Sequence, residues 1–314
     1  MITNKEKNFV SIVLYIHNDA EKLEITLKTI DKKIRKRFEK YEIICVNDAS
    51  IDNSEDRIKE FGSNNKNTII SIINMSYYQG REFAMNAGRD LAIGDFVFEF
   101  DSSIIDYDAE LIDEIYFKSL EGYDIVSAVP LQNSYLSSKL FYCLFNKFSN
   151  SNYKLQTERF RILSRRAINR IQSMSITIPY RKAIYANCGL AMSTISYEPQ
   201  NNNRYSIDEE SSFRKKNATD SLILFTEVAY KITFFLAAIM MIFTISVAIY
   251  TVYTYSVNQF VAAGWTTTML FLALAFFVTF VILAIIIKYL SVLIGLVFNN
   301  QKYLIKSIDK ITDQ

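Results

Sequence analysis

The stretch GDFVFEFDSSIIDYD, residues 94–108, reads as a buried strand that runs out into carboxylates. Phe96, Val97, Phe98 and Phe100 make a short apolar run behind a glycine, the pattern of a strand covered on both faces. Asp101 closes the run, and Ser102, Ser103, Asp106 and Asp108 follow it. A carboxylate at a strand end, with a second one two residues on, can hold a divalent cation through oxygen. Here Ser103 stands at the second place, which raises the question of whether the strand end still holds an anionic ligand and a metal.

Working outward, three more apolar, β-branched runs precede this strand: FVSIVLYI at 9–16, YEIICV at 41–46 and TIISII at 68–73. Between them the spacing is helical, over 19–40 with Leu23, Leu27 and Ile30 on one face, over 52–61, and over 80–92. Strands alternating with helices at this interval predict an α/β fold, an open Rossmann-like, mostly parallel sheet with helices on both faces. Ligands of such sheets bind beyond the carboxyl ends of the strands. The residues there are His17 to Asp19, Asn47 to Ser50, and Asp101 to Ser103, three polar clusters.

The whole chain narrows the options. It has 314 residues and a formal net charge of +2, with basic residues scattered among acids, so no nucleic-acid surface is expected. Three separated cysteines argue against a disulfide framework or a zinc site, and one histidine rules out a multi-histidine metal centre. Apolar sequence gathers towards the C-terminus. Residues 232–253 and 266–287 carry no charge, and each would be about 33 Å long as a helix, enough to cross a bilayer core. Arg214, Lys215, Lys216 and Lys231 precede the pair, and Lys288, Lys302, Lys306 and Lys310 follow it. The positive-inside bias then puts both termini in the cytoplasm. The start MITNKEKNF leads directly into a strand-like run, so no signal peptide is expected. The expected organisation is a cytoplasmic catalytic domain over 1–210, an amphipathic juxtamembrane helix over 211–231, two transmembrane helices within 232–290, and a cytoplasmic tail over 291–314. A second amphipathic stretch, 136–148, suits either a headgroup-plane position or a core or dimer contact.

The motifs resemble family 2 glycosyltransferases of the GT-A fold, in particular membrane-anchored polyprenyl-phosphate sugar transferases and dolichol-phosphate mannose synthases. VSIVLYIHND is similar to the family's opening strand, EIICVNDASIDNS to E-I-I-x-V-D-D-G-S-x-D-x-S, and YYQGREFAMNAGRDLAIGDFVFEFDSS to the segment ending in D-x-D. YDIVSAV resembles the next strand, and RFRILSRRAI the D-F-R-L-x-S-R segment. Several positions depart from the pattern. Tyr15, His17 and Asp19 replace proline, tyrosine and glutamate, Asn47 replaces the first aspartate of a pair, and Ser103 replaces the last of D-x-D. Ile105 replaces a glutamine, Arg159 an acid, and PQNNNRYS the usual arginine and glycine.

The resemblance implies a nucleotide-diphosphate sugar as donor, with Tyr15, His17, Asp19, Asp48, Arg81, Asp101 and Ser103 as its candidate ligands. Asp48 can accept the base imide proton, and equally suits an Asx turn or a helix cap; Asp52 is read as a cap for the next helix. Asp101 is the principal catalytic candidate and the one metal ligand, so Mg2+ or Mn2+ is expected to be weakly held. A basic side chain, Arg81 or Arg161, is the competing source of positive charge. Arg161, matching the family's F-R arginine, and Arg165 are candidates for an acceptor phosphate; as helical neighbours they would share a face, whereas Arg166 and Arg170 suit a solvated strip. Glu99 suits the site or a structural ion pair.

The expected activity is inverting transfer of a sugar to polyprenyl phosphate at the cytoplasmic membrane face, by an integral protein of the inner membrane that works as a homo-oligomer. A phosphate oxygen is already anionic and needs no base. A sugar hydroxyl on a lipid-linked glycan would need one, from Asp106, Asp108 or Glu158. A third possibility is a transferase-like scaffold that has lost catalysis.

Overall fold

A computed structural model of the chain describes residues 5–65, 68–131, 141–143, 145–147, 153–174, 180–200, 264–298 and 303–311, with isolated positions between 235 and 253. Its elements in chain order are β1 (Val10–Ile16), α1 (Ala20–Arg37), β2 (Tyr41–Asn47), α2 (Ser54–Asn64), β3 (Ile69–Met75), α3 (Arg81–Leu91), β4 (Phe96–Phe100), α4 (Glu110–Leu120), β5 (Ile125–Pro130), β6 (Phe160–Ser164), α5 (Arg165–Ser173), α6 (Arg181–Asn187), β7 (Met192–Tyr197), α7 (Gly264–Phe298) and β8 (Ile305–Ile311). The eight strands form one sheet in the order β7-β5-β6-β4-β1-β2-β3-β8. Strands β4, β1, β2 and β3 run parallel, while β6 and β8 pair antiparallel with β4 and β3.

The apolar runs become strands because helices bury both of their faces. Val10, Ile12, Leu14 and Ile16 point to the side of Leu23, Leu27, Ile30 and Ile34 of α1, with α2 and α4 beside it. Val13, Tyr15, Ile44 and Val46 face α3, α5 and α6. Helix α3 lies close against the sheet at Gly88, where an added Cβ would collide with a Val13 methyl and come 2.7 Å from Val46 Cγ2.

Two expectations change. RFRILSRR does not form one helix. Phe160 and Ile162 pack on one side of the sheet and Leu163 on the other, so the first half is strand β6 and the helix begins at Arg165. The segment after 291 is not simply a tail. IKSIDKI alternates half-buried and exposed positions and closes the sheet as β8, with Ile73 opposite Ile308. A strand with one covered face needs only every second residue apolar, so it lacks the density that marks the inner strands.

Helix α7 runs unbroken for 35 residues, contains the expected span 266–287, and carries one charge, Lys288. Counted over the described residues alone, no helix is long and apolar enough to cross a membrane. Phe276 and Phe277 of α7 are 60% and 66% exposed. The expected span 232–253, apart from isolated positions, and the stretch 211–231 lie outside the described residues. Of 136–148, residues 141–143 and 145–147 are described, and Phe145 packs against Leu155 and Ala183, a contact within the protein.

Candidate active site

Strands β1, β2 and β4 are adjacent and parallel, so their carboxyl ends reach one edge of the sheet. Tyr15, His17 and Asp48 meet there directly. The Tyr15 hydroxyl donates to Asp48 Oδ2 at 3.1 Å, and His17 Nδ1 lies 2.7 Å from the Asp48 carbonyl oxygen. The His17 ring leans on Tyr78 with centroids 4.6 Å apart. Asp48 is fully buried and also accepts from the backbone N–H groups of Gln79 (2.9 Å) and Gly80 (2.8 Å). Gly80 has φ of 85°, a conformation glycine adopts without strain, and it leads into α3. Asp48 therefore ties the end of β2 to the turn before α3. Burial raises its pKa, and these hydrogen bonds oppose the rise.

Asp19 stands just before α1, where its N–H donates to Ser54 Oγ at 3.1 Å. Asp52 stands one residue before Asn53, the N-cap of α2, and accepts from Ser54 N–H at the start of α2 and from Ala20 N–H at the start of α1. The Arg81 guanidinium lies 5.5 Å from the centre of the Tyr15 ring, and its charge acts on Asp101.

Asp101 sits in a cage of arginines. Arg161 Nη2 donates to Asp101 Oδ2 at 2.7 Å and Arg181 Nη2 to Oδ1 at 2.6 Å. The same two guanidiniums donate to Glu99 Oε2 at 2.9 and 2.7 Å, and the Tyr185 hydroxyl donates to Glu99 Oε1 at 2.8 Å. Arg181 Nε also donates to Glu82 at 3.1 Å. Arg161 Nε lies 3.2 Å from Glu158 Oε2, an ion pair without hydrogen-bond alignment. Both arginine side chains are fully buried. Burial alone would raise the Asp101 pKa; the charges of Arg161 and Arg181 outweigh it and hold the carboxyl well below the usual range. Glu99 belongs to this ion-pair network, one of the two roles read for it.

Sequence reasoning placed Arg161 here and missed Arg181, Glu82 and Tyr185. A signal was present, since Arg181 and Tyr185 are spaced i, i+4 within RKAIYAN and share a helix face. Arg165 is not brought to this edge. It donates to the carbonyls of Ala92 and Gly94 at the amino end of β4, because β6 runs antiparallel and carries it away from Asp101. The expected helical adjacency of Arg161 and Arg165 is corrected accordingly.

The cage decides how well a cation fits. Asp101 is the one carboxylate at the expected place, and both of its oxygens already meet guanidinium nitrogens. Ser103 is fully buried and its hydroxyl has no hydrogen-bond partner, but a neutral hydroxyl is a poor substitute for a carboxylate. Among the described residues no group of three or more His, Cys, Asp or Glu side chains is placed to hold a metal. As arranged, this donor set does not fit a tightly held ion.

Of the three candidate bases, Asp106 and Glu158 are buried in ion pairs and Asp108 is exposed. Asp106 is met by Arg159 Nε at 3.1 Å and by the Tyr197 hydroxyl at 2.8 Å. Asp108 accepts from Glu110 N–H at the start of α4. Glu158 accepts from Tyr153 and faces Arg161.

A mostly parallel sheet with helices on both faces and a polar carboxyl edge defines the class, a Rossmann-like α/β protein of the GT-A type. The model described as glycosyl transferase family 2 matches residues 11–172, more than half of the chain, and the chain belongs to that family of enzymes. An uncharacterized glycosyltransferase of Synechocystis sp. is 29% identical over 195 residues, covering 60% of this chain and 60% of the relative. A prophage bactoprenol glucosyl transferase homolog of Escherichia coli is 26% identical over 194 residues, 60% of this chain and 62% of that one. An undecaprenyl-phosphate 4-deoxy-4-formamido-L-arabinose transferase of Proteus mirabilis is 34% identical over 127 residues, 40% and 38% of the two chains. The chain thus spans less than two thirds of the length of these relatives. A mannosyltransferase from Pyrobaculum calidifontis, solved with GDP-Man and Mn2+, shares the fold at a TM-score of 0.51 and 13% identity, over 94% of this chain and 89% of that one.

Proposed function

We propose that the chain moves a sugar, with inversion, from a nucleotide-diphosphate donor to polyprenyl phosphate at the cytoplasmic face of a membrane. The observation that carries this reading is that two of the three candidate bases, Asp106 and Glu158, are buried and ion-paired with Arg159 and Arg161. A sugar hydroxyl as acceptor needs a base to take its proton. A phosphate oxygen is anionic at neutral pH and attacks the anomeric carbon without one. Relatives named for undecaprenyl phosphate and bactoprenol support the same acceptor.

The donor lies along the edge lined by Tyr15, His17 and Asp48, with its diphosphate towards Arg81 and Asp101. Positive charge near the departing diphosphate stabilises the transition state. Here Arg81 is the residue proposed to supply it, since Arg161 and Arg181 are buried and paired with carboxylates, and the dependence on divalent metal is weak. Helix α7, with exposed phenylalanines and one charge in 35 residues, supports the proposed attachment to a membrane. The return of the chain to the sheet at β8 supports an even number of crossings, with both ends on the catalytic side.

A thermal-shift screen of nucleotide sugars on the detergent-solubilised chain tests the donor. A bound donor raises the melting temperature by mass action. A shift from one nucleotide class is expected; no shift from any of them counts against the reading.

A further inference from the structure

The strand that follows α7 reaches the nucleotide end of the site through two side-chain relays. In the first, Gln79 grips the main chain of Leu304 from both sides: its Nε2 donates to the Leu304 carbonyl at 2.7 Å, and its Oε1 accepts the Leu304 N–H at 2.8 Å. The backbone N–H of the same Gln79 donates to Asp48. In the second, Asn74 Nδ2 donates to Ser307 Oγ at 3.2 Å and to Asp309 Oδ2 at 3.1 Å. Asn74 Oδ1 accepts from Asn47 Nδ2 at 2.8 Å, and Asn47 Oδ1 accepts the Ser50 N–H at 3.1 Å. Asn47 and Asp48, adjacent at the tip of β2, are thus each one side chain away from a strand more than 200 positions downstream. Gln79 and Asn74 are buried, so these polar groups depend on one another for their hydrogen bonds.

From this we infer that Gln79 and Asn74 are positioning residues through which β8 sets the geometry of the donor's nucleotide subsite. In this arrangement the subsite is complete only when the chain beyond α7 is seated on β3. A displacement of the strand at the end of α7 then reaches Asp48 within two hydrogen-bonded links. The inference rests on the proposed function only in taking the tip of β2 as the nucleotide subsite.

Hydrogen exchange of the full chain in detergent, read on peptides covering 76–83 and 303–311, tests the relay without any ligand. Gln79→Ala removes both bonds to Leu304 and leaves the β3–β8 ladder; Leu304→Pro removes the N–H from the other side. Both are expected to speed exchange of the Gln79 and Gly80 amides about tenfold, with β1 and β4 peptides unchanged. Unchanged exchange at Gln79 and Gly80 in Gln79→Ala, with faster exchange at 303–311, would overturn the inference. Titration with UDP and GDP then reads the consequence, a weaker Kd in Gln79→Ala for the nucleotide that the wild type binds. Failure of the wild type to bind either counts against the donor reading alone.

Discussion

Arg181 reaches Asp101 at 2.6 Å from a helix 80 residues further along the chain, and with Arg161 it occupies both oxygens of that carboxylate. The strand end that reads as a metal site is therefore internally neutralised. Partners that confine Asp101 this closely also fix its position at the carboxyl end of β4, and each of the following predictions touches that arrangement or the packing behind it.

Replacing Asp101 with Asn keeps the side chain's shape and removes its charge. Turnover, followed as release of nucleoside diphosphate, is expected to fall by about 100-fold or more. Full activity in this variant would contradict the assignment of Asp101. Asp101→Ala carries a second effect, because it leaves two buried guanidiniums short of a partner, so it is expected to lose stability as well as activity.

Arg181→Met leaves Glu99, Asp101 and Glu82 each short of a cation. Breaking a buried ion pair from one side costs about 3–5 kcal/mol, and urea unfolding should show a loss of that order. Adding Asp101→Asn to Arg181→Met should recover part of it, because residues in one network are not additive.

The depressed Asp101 pKa fixes the sign of a pH effect. Its folded value lies below the unfolded value of about 3.9. The carboxylate therefore contributes stability above the unfolded value, and that contribution is lost as pH falls towards the folded one. Wild-type stability is expected to decline from about pH 5 downwards, more steeply than that of Asp101→Asn. Parallel slopes would contradict the cage.

A cation that must displace a guanidinium binds poorly on its own. Mn2+ alone at micromolar concentration should leave the melting temperature unchanged, and turnover should survive brief EDTA treatment. Loss of turnover at sub-stoichiometric chelator, the sign of a tightly held ion, would overturn this expectation.

Gly88→Ala tests the packing that brings α3 to the sheet. Its Cβ would sit 2.7 Å from Val46 Cγ2, and overpacking of this kind costs about 1–3 kcal/mol, measurable as a lower unfolding midpoint.

The inner sheet was legible because four strands buried on both faces leave dense apolar runs, and the polar residues just beyond them mark its working edge. The fold thus placed Tyr15, His17, Asp48 and Asp101 at one edge from sequence alone. What escaped has a physical reason in each case. In β6 the recurrence of arginines imitates a helical face while Phe160, Ile162 and Leu163 keep the strand's alternation. Strand β8 is covered on one side and reads as polar. The spacing of Arg181 and Tyr185 marks a shared helix face but not its partners 80 residues away, and the engagement of both Asp101 oxygens depends on two different elements.

The most direct measurement is transfer itself. The purified chain, in detergent with undecaprenyl phosphate and each nucleotide sugar in turn, is assayed by mass spectrometry for a glycosylated lipid phosphate and for released nucleoside diphosphate. One donor should give both products in equal amounts, with Asp101→Asn giving neither. Release of nucleotide only when a lipid-linked glycan replaces undecaprenyl phosphate, or binding of a donor with no turnover on either lipid, would contradict the account.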